Sequence, residues 1–124
     1  MPRILIVEDE VNSARALVYY FEDLGWEVEL AARADEALAA AETFCPDVLL
    51  TDVVLPGDGD GIGVARTLIE RDPRLPVVAM TGLPEREVRE RATGVPLHEI
   101  CFKPLRLRQL GEVVAAALGS REGS

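Results

Sequence analysis

The chain is short of most groups that metalloenzymes, secreted domains and membrane proteins rely on. Aromatic residues make up 5% of its 124 positions, so any core must be mainly aliphatic. There is one histidine, His98, and there are two cysteines, Cys45 and Cys101, set far apart. That spacing offers neither a zinc site nor a disulfide framework. Both cysteines are expected to be small buried hydrophobes. No apolar run approaches the ~20 residues needed to cross a bilayer, and Met1-Pro2-Arg3-Ile4 opens no signal-peptide core. The expectation is a cytoplasmic protein with no membrane contact. Positive charge is scarce as well: 13 basic against 22 acidic residues leave a net charge of −9. Direct nucleic-acid binding needs a basic face to neutralise phosphates, so nucleic acid is not expected as a direct partner. Lysine is almost missing. Of the 13 basic residues only Lys103 is a lysine. A compact, flexible ammonium is not interchangeable with a guanidinium where a point charge must reach into a site.

What is present is a regular alternation of short apolar runs and amphipathic stretches, in a chain 48% hydrophobic. Residues 3–8 are predicted to form a first buried strand ending in Glu8-Asp9, a pair able to cap the helix that follows. Ala14, Leu17, Val18, Phe21 and Leu24 fall at helical spacing over 9–24, and Gly25 stops that helix. Residues 26–31 alternate apolar and acidic, as in an edge strand with one wet face. An alanine-rich helix covers 34–44, and Pro46 closes it. A third strand, 47–51, delivers Thr51-Asp52 to a loop built from Pro56, Gly57, Gly59 and Gly61. The next helix, 61–71, has Ile62, Ala65, Leu68 and Ile69 as inward candidates, and Asp72-Pro73 ends it. Residues 75–80 are a fourth strand leading to Thr81-Gly82. Pro84 is expected at the first helical position of a charged fourth helix, 85–92, with only Val88 and Ala92 apolar. Strand five, 97–102, runs into Lys103-Pro104. A last helix, 106–118, sets Leu107, Leu110, Val114, Ala117 and Leu118 on one face, with Gly119 as its stop.

Five strands alternating with five helices give an α/β fold with a doubly wound parallel sheet. Right-handed crossovers favour the flavodoxin-like strand order 2-1-3-4-5. The expected organisation is one domain over 1–119 and a short polar tail over 120–124. In that order strands one and three are neighbours, which gathers Glu8, Asp9 and Asp52 at the carboxyl edge of the sheet. Three close carboxylates repel unless a cation sits among them. Hard oxygen ligands without histidine or cysteine select magnesium or a similar ion. Thr81 and Lys103 end strands four and five on the same edge. The set suits holding a phosphoryl group. Each residue alone has a bland alternative: Asp52 as a strand-end turn residue, Thr81 as an ordinary strand residue, Lys103 as a solvated charge. Their convergence at one end of successive strands weighs against it.

With Ile6-Val7-Glu8-Asp9-Glu10, Asp52 followed by Pro56, Thr81-Gly82 and Lys103-Pro104 in place, the sequence resembles the receiver domain of two-component response regulators over essentially its whole length. The resemblance implies that Asp52 accepts a phosphoryl group from a histidine kinase or phosphotransfer protein. It implies magnesium held by Glu8, Asp9, Asp52 and the backbone carbonyl of Val54. Thr81 would turn toward the phosphoryl group, Lys103 would pair with it, and the Lys103-Pro104 bond would be cis. Two positions depart from the family pattern. The aromatic residue common three places before the lysine is Ile100 here. The glycine common eight places after the acceptor comes nine after it, at Gly61, a spacing similar to receivers joined to sensor kinases.

The leading expectation is therefore a stand-alone receiver, not an independent enzyme, that alters its fourth-helix and strand-five surface for a downstream protein target. Homodimerisation through helix 4, strand 5 and helix 5 is one outcome of that surface. Met1 and the short tail favour the stand-alone form. The glycine spacing keeps open a module cut from a hybrid kinase or multidomain regulator. A third reading is a magnesium-dependent phosphatase with an aspartyl-phosphate intermediate. It lacks its usual general acid, because Val54 occupies the position two residues after Asp52. Val54 and Leu83 should flank the acceptor, and neither can orient an attacking water, so slow loss of the phosphoryl group is expected.

Overall fold

The computed structural model describes residues 1–122. Five strands and five helices alternate without exception: β1 (Arg3–Val7), α1 (Val11–Asp23), β2 (Glu27–Ala31), α2 (Ala34–Phe44), β3 (Val48–Asp52), α3 (Gly61–Arg71), β4 (Val77–Thr81), α4 (Glu85–Arg91), β5 (Glu99–Phe102) and α5 (Leu107–Glu122). The strands form one parallel sheet in the order β2-β1-β3-β4-β5. The fold class and strand order expected from the alternation are thus the ones observed.

Strand alternation divides the aliphatic core in two. Leu5, Val7, Leu49, Val77 and Ala79 face α2, α3 and α4, where they meet Ala37, Ile62, Leu68 and Val88. Ile4, Ile6, Val48, Leu50, Val78 and Met80 face α1 and α5, packing on Leu17, Phe21, Leu110 and Val114. Both faces of β3 and β4 are buried along their full length. That explains why their sequences read as continuous apolar runs rather than alternations. β2, at the edge, leaves three of its five residues exposed.

Several helix ends differ from the sequence expectation. Glu8-Asp9 do not cap α1. Glu10 does, its carboxylate accepting from the backbone N–H of Asn12 at 3.1 Å and of Ser13 at 2.6 Å, which frees Glu8 and Asp9 for the sheet edge. Pro84 is the N-cap of α4 rather than its first helical residue. α5 does not stop at Gly119 but continues through Ser120 to Glu122. Glycine inside a helix costs only about 1 kcal/mol, and Arg121 in the last turn pairs with Asp72 at 2.9 Å. Residues 120–122 of the expected tail therefore belong to α5, and residues 123–124 lie outside the described residues. The cysteines also depart. Cys45 takes the left-handed conformation at the end of α2, φ 52°, and is exposed, while Cys101 is only half-buried. Capping turns Cys45 outward where an apolar interior position was expected. Gly25, φ +96°, follows α1 as predicted.

Candidate functional site

The parallel register sets the ends of β1, β3, β4 and β5 side by side, so residues just past each strand share one edge. β3 is the centre of it. Asp52 is its last residue and is 4% exposed, while Glu8 follows β1 and is 2% exposed. Carboxylate oxygens of Glu8, Asp9 and Asp52 lie within 4.8 Å of one another, with Asp9 the exposed member. From β5, Lys103 reaches over the pair, its Nζ 2.9 Å from Asp52 Oδ1 and 3.7 Å from Glu8 Oε1. Thr81 ends β4 and is buried, and its Oγ1 accepts from the backbone N–H of Leu83 at 3.0 Å. The Lys103-Pro104 bond is cis. Val54 is exposed and Leu83 half-buried beside these groups.

The electrostatics follow from burial. Desolvation, with Glu8 close by, pushes Asp52 up to about 7 against the opposing pull of Lys103. Burial acts on Glu8 in the same upward sense. There the hydrogen bond with Asp52, the backbone N–H groups of Glu10 and Asp9, and the Lys103 charge outweigh it and hold Glu8 below the usual carboxylate range. Burial would lower Lys103, but its contacts with Asp52 and Glu8 raise it. At neutral pH Asp52 is therefore about half protonated while Glu8 stays ionised.

Glu8 Oε1 and Asp52 Oδ1 are buried against the Lys103 ammonium, which lies 2.9 Å from Asp52 and 3.7 Å from Glu8. One ammonium among three close carboxylates leaves negative charge in excess at this edge. The donor set fits a hard cation with oxygen ligands. The predicted side-chain groups all lie at this one edge, with Glu8, Asp52 and Thr81 buried and Asp9 and Lys103 exposed.

The sequence profile of the response regulator receiver domain matches residues 4–115. The chain belongs to that family. The receiver is 34% identical over 120 residues to the phosphate regulon transcriptional regulatory protein PhoB of Rhizobium meliloti, covering 95% of this chain and 52% of that protein. It is 32% identical to the alkaline phosphatase synthesis transcriptional regulatory protein PhoP of Bacillus subtilis, covering 97% and 50%. The chain thus spans about half the length of these relatives. Among solved structures, a CheY-like response regulator receiver domain protein from Methanospirillum hungatei superposes with a TM-score of 0.92 at 28% identity, covering 99% and 98% of the two chains. No helix among the described residues is long and apolar enough to cross a membrane.

Sequence reasoning missed how the loop after Asp52 is held. Gly61 N donates to Val53 O at 2.8 Å. A Cβ at Gly61 would collide with the Asp52 carbonyl and the Thr51 hydroxyl, so this glycine lets the receiver's loop close directly behind Asp52. Asp60 caps α3, accepting from Gly63 N at 2.8 Å, and its other oxygen lies 3.6 Å from Arg91 Nη1 of α4. The signal was present: an aspartate just ahead of an apolar-periodic helix is an N-cap pattern.

Proposed function

We propose that Asp52 is the phosphoryl acceptor of this receiver, taking the group from a phosphohistidine on a kinase or phosphotransfer protein. The observation that carries this is the buried Asp52 carboxylate held 2.9 Å from the chain's single lysine, inside a three-carboxylate cluster. An Asp52 oxygen forms the new bond to phosphorus as the bond from phosphorus to the imidazole nitrogen breaks, and the freed imidazole leaves with the electron pair. Lys103 keeps a share of Asp52 ionised before transfer, and its ammonium is placed to follow the charge onto a phosphoryl oxygen afterwards. Thr81 accepts a hydrogen bond from Leu83, which leaves its own hydroxyl hydrogen free to donate to the transferred group. Glu8, Asp9, Asp52 and the Val54 carbonyl are the groups that would hold magnesium, which when bound neutralises phosphoryl oxygens.

The acceptor's gain of charge then biases the adjoining segment, 82–106, which carries α4 and β5. α4 has a single fully buried side chain, Val88, so it is the helix held least firmly. The α4–β5–α5 face is the proposed surface for a downstream protein or for a second receiver. Treatment with a small phosphodonor and magnesium tests the chemistry. One phosphoryl group should appear in the intact mass and be absent in Asp52→Asn. Unchanged labelling of Asp52→Asn would refute the assignment.

A further inference from the structure

The two edges of the sheet are guarded differently. β2 alternates Glu27 and Glu29 with Val28 and Leu30, and Glu27 is tied to Arg3 at 3.0 Å. Charges spaced along an edge discourage a further strand from pairing there. β5, at the opposite edge, contains no proline or lysine, and no described strand lies beyond it. Two cavities flank it instead. One of about 300 Å³ lies on the α4 side, bordered by Arg89, Val95, Leu97 and His98. The other, about 330 Å³, lies on the α5 side, bordered by Phe102, Leu105, Arg106 and Val113. Glu99 and Ile100 border both.

We propose that β5 takes an extended, carboxylate-bearing peptide of a partner protein as a sixth strand of the sheet. The inference rests on the reading of the α4–β5 region as the output surface and names the kind of partner it fits. Strand addition gains affinity from backbone hydrogen bonds along the free edge and specificity from pockets for alternate side chains. Successive side chains of an added strand point to opposite faces, and the cavities are on opposite faces too. Ile100 packs toward the α2–α3–α4 core and Cys101 toward the α1–α5 core.

Charge selects the occupant. On a chain of net charge −9, the two cavities carry Arg89 and Arg106 at their rims against one carboxylate, Glu99. Arg89 is engaged by Glu85 at 2.8 Å. Arg106 is exposed and has no ion-pair partner among the described residues. A carboxylate next to an apolar residue in the incoming strand would answer it. A helical segment could fill a cavity but would leave the free backbone groups of β5 unmet.

The test uses the unmodified protein and a capped hexapeptide alternating aspartate and valine. A second probe is the same peptide N-methylated at alternate amides, so that it cannot donate to β5. Amide resonances of residues 98–103 should shift and their exchange slow. The N-methylated peptide should bind about tenfold more weakly, as expected for loss of one or two backbone hydrogen bonds. Arg106→Glu should weaken the parent peptide at least about threefold while leaving the fold intact. Equal binding of the two peptides overturns the proposal, as do shifts confined to other surfaces or none at millimolar peptide. A mass doubling without peptide that maps to β5 would make a second receiver the occupant and overturn it too. Phosphorylation of Asp52 is scored separately by mass, so failure of the phosphoacceptor reading and failure of strand addition are told apart.

Discussion

Replacing Asp52 by asparagine should stabilise the receiver in the absence of divalent ions, and the gain should grow with pH. Unfolded, Asp52 titrates near 3.8; folded, its pKa is pushed up to about 7, first by burial and then by Glu8. Between those values the folded state holds a proton that the unfolded state has released. Stability therefore falls as pH rises. The contribution of Asp52 is fully present below about pH 4 and lost by the time pH passes 7. At roughly 1.4 kcal/mol per pH unit, the interval from 3.8 to about 7 sets a ceiling of about 4 kcal/mol. Glu8 works in a separate window. Its pKa is held low, so its contribution is present above about 4.5 and lost only on acidification below that. Asparagine removes the charge and keeps the shape, leaving Lys103 with Glu8 as its counter-ion at 3.7 Å. Urea unfolding at pH 5, 6, 7 and 8 should show Asp52→Asn gaining on the wild type by about 2–4 kcal/mol at the upper end. Millimolar magnesium should close the gap by stabilising the wild type alone, about 2.7 kcal/mol at one hundred times its dissociation constant. A difference independent of pH, or a variant less stable than the wild type at pH 8, would refute the account of a strained acid pair.

Three further perturbations follow from the same geometry. Lys103→Gln removes the ammonium 2.9 Å from Asp52; the Asp52 carboxyl, followed by carbon NMR, should titrate at higher pH, and phosphorylation at pH 7 should slow at least about tenfold. Gly61→Ala drives a Cβ into the Asp52 carbonyl, so its urea midpoint should fall by the equivalent of about 1–3 kcal/mol and phosphorylation should slow with it. Arg91→Gln breaks a half-exposed pair with Asp60 and should cost less than about 1 kcal/mol of stability, yet it should shrink the amide-exchange response of residues 85–92 to phosphorylation; an undiminished response would exclude Asp60–Arg91 as a connection.

The architecture was legible because each element carries its own marker. β3 and β4 are uninterrupted aliphatic runs, β2 alternates with glutamates, and Gly25 punctuates α1. Strand order then placed Glu8, Asp9, Asp52, Thr81 and Lys103 on one edge without any contact being known. What the sequence concealed depends on tertiary packing. The family resemblance marks Gly61 by its spacing from Asp52, but only the approach of the Asp52 carbonyl shows why a side chain is excluded there. Gly119 looks like a helix stop, but Arg121 on Asp72 carries α5 past it. Glu8 and Glu10 are equally able to cap α1 by composition. The fold gives the cap to Glu10 and buries Glu8 beside Asp52.

These contacts suggest how a charge placed on Asp52 reaches α4 although position 100 is isoleucine. Gly61 is pressed against the Asp52 carbonyl and bonded to Val53, and the neighbouring Asp60 caps α3 with one oxygen and faces Arg91 with the other. Arg91 also bonds Glu87 within α4. A displacement of the Asp52 backbone on phosphorylation would bear on Gly61, which sits so close to the Asp52 carbonyl that a Cβ would collide with it, and through Gly61 on Asp60. The ion pair itself is weak, half-exposed and worth at most about 1 kcal/mol. A weak link suffices only if the element it acts on is poised near balance, because an equilibrium shifts by no more than the difference in interaction energy between its two states. α4 meets that condition: seven residues, one buried side chain and three exposed i,i+4 ion pairs. On the proposal that Asp52 is the acceptor, the loop through Asp60 and Gly61 offers a connection to α4 that does not need an aromatic side chain at position 100.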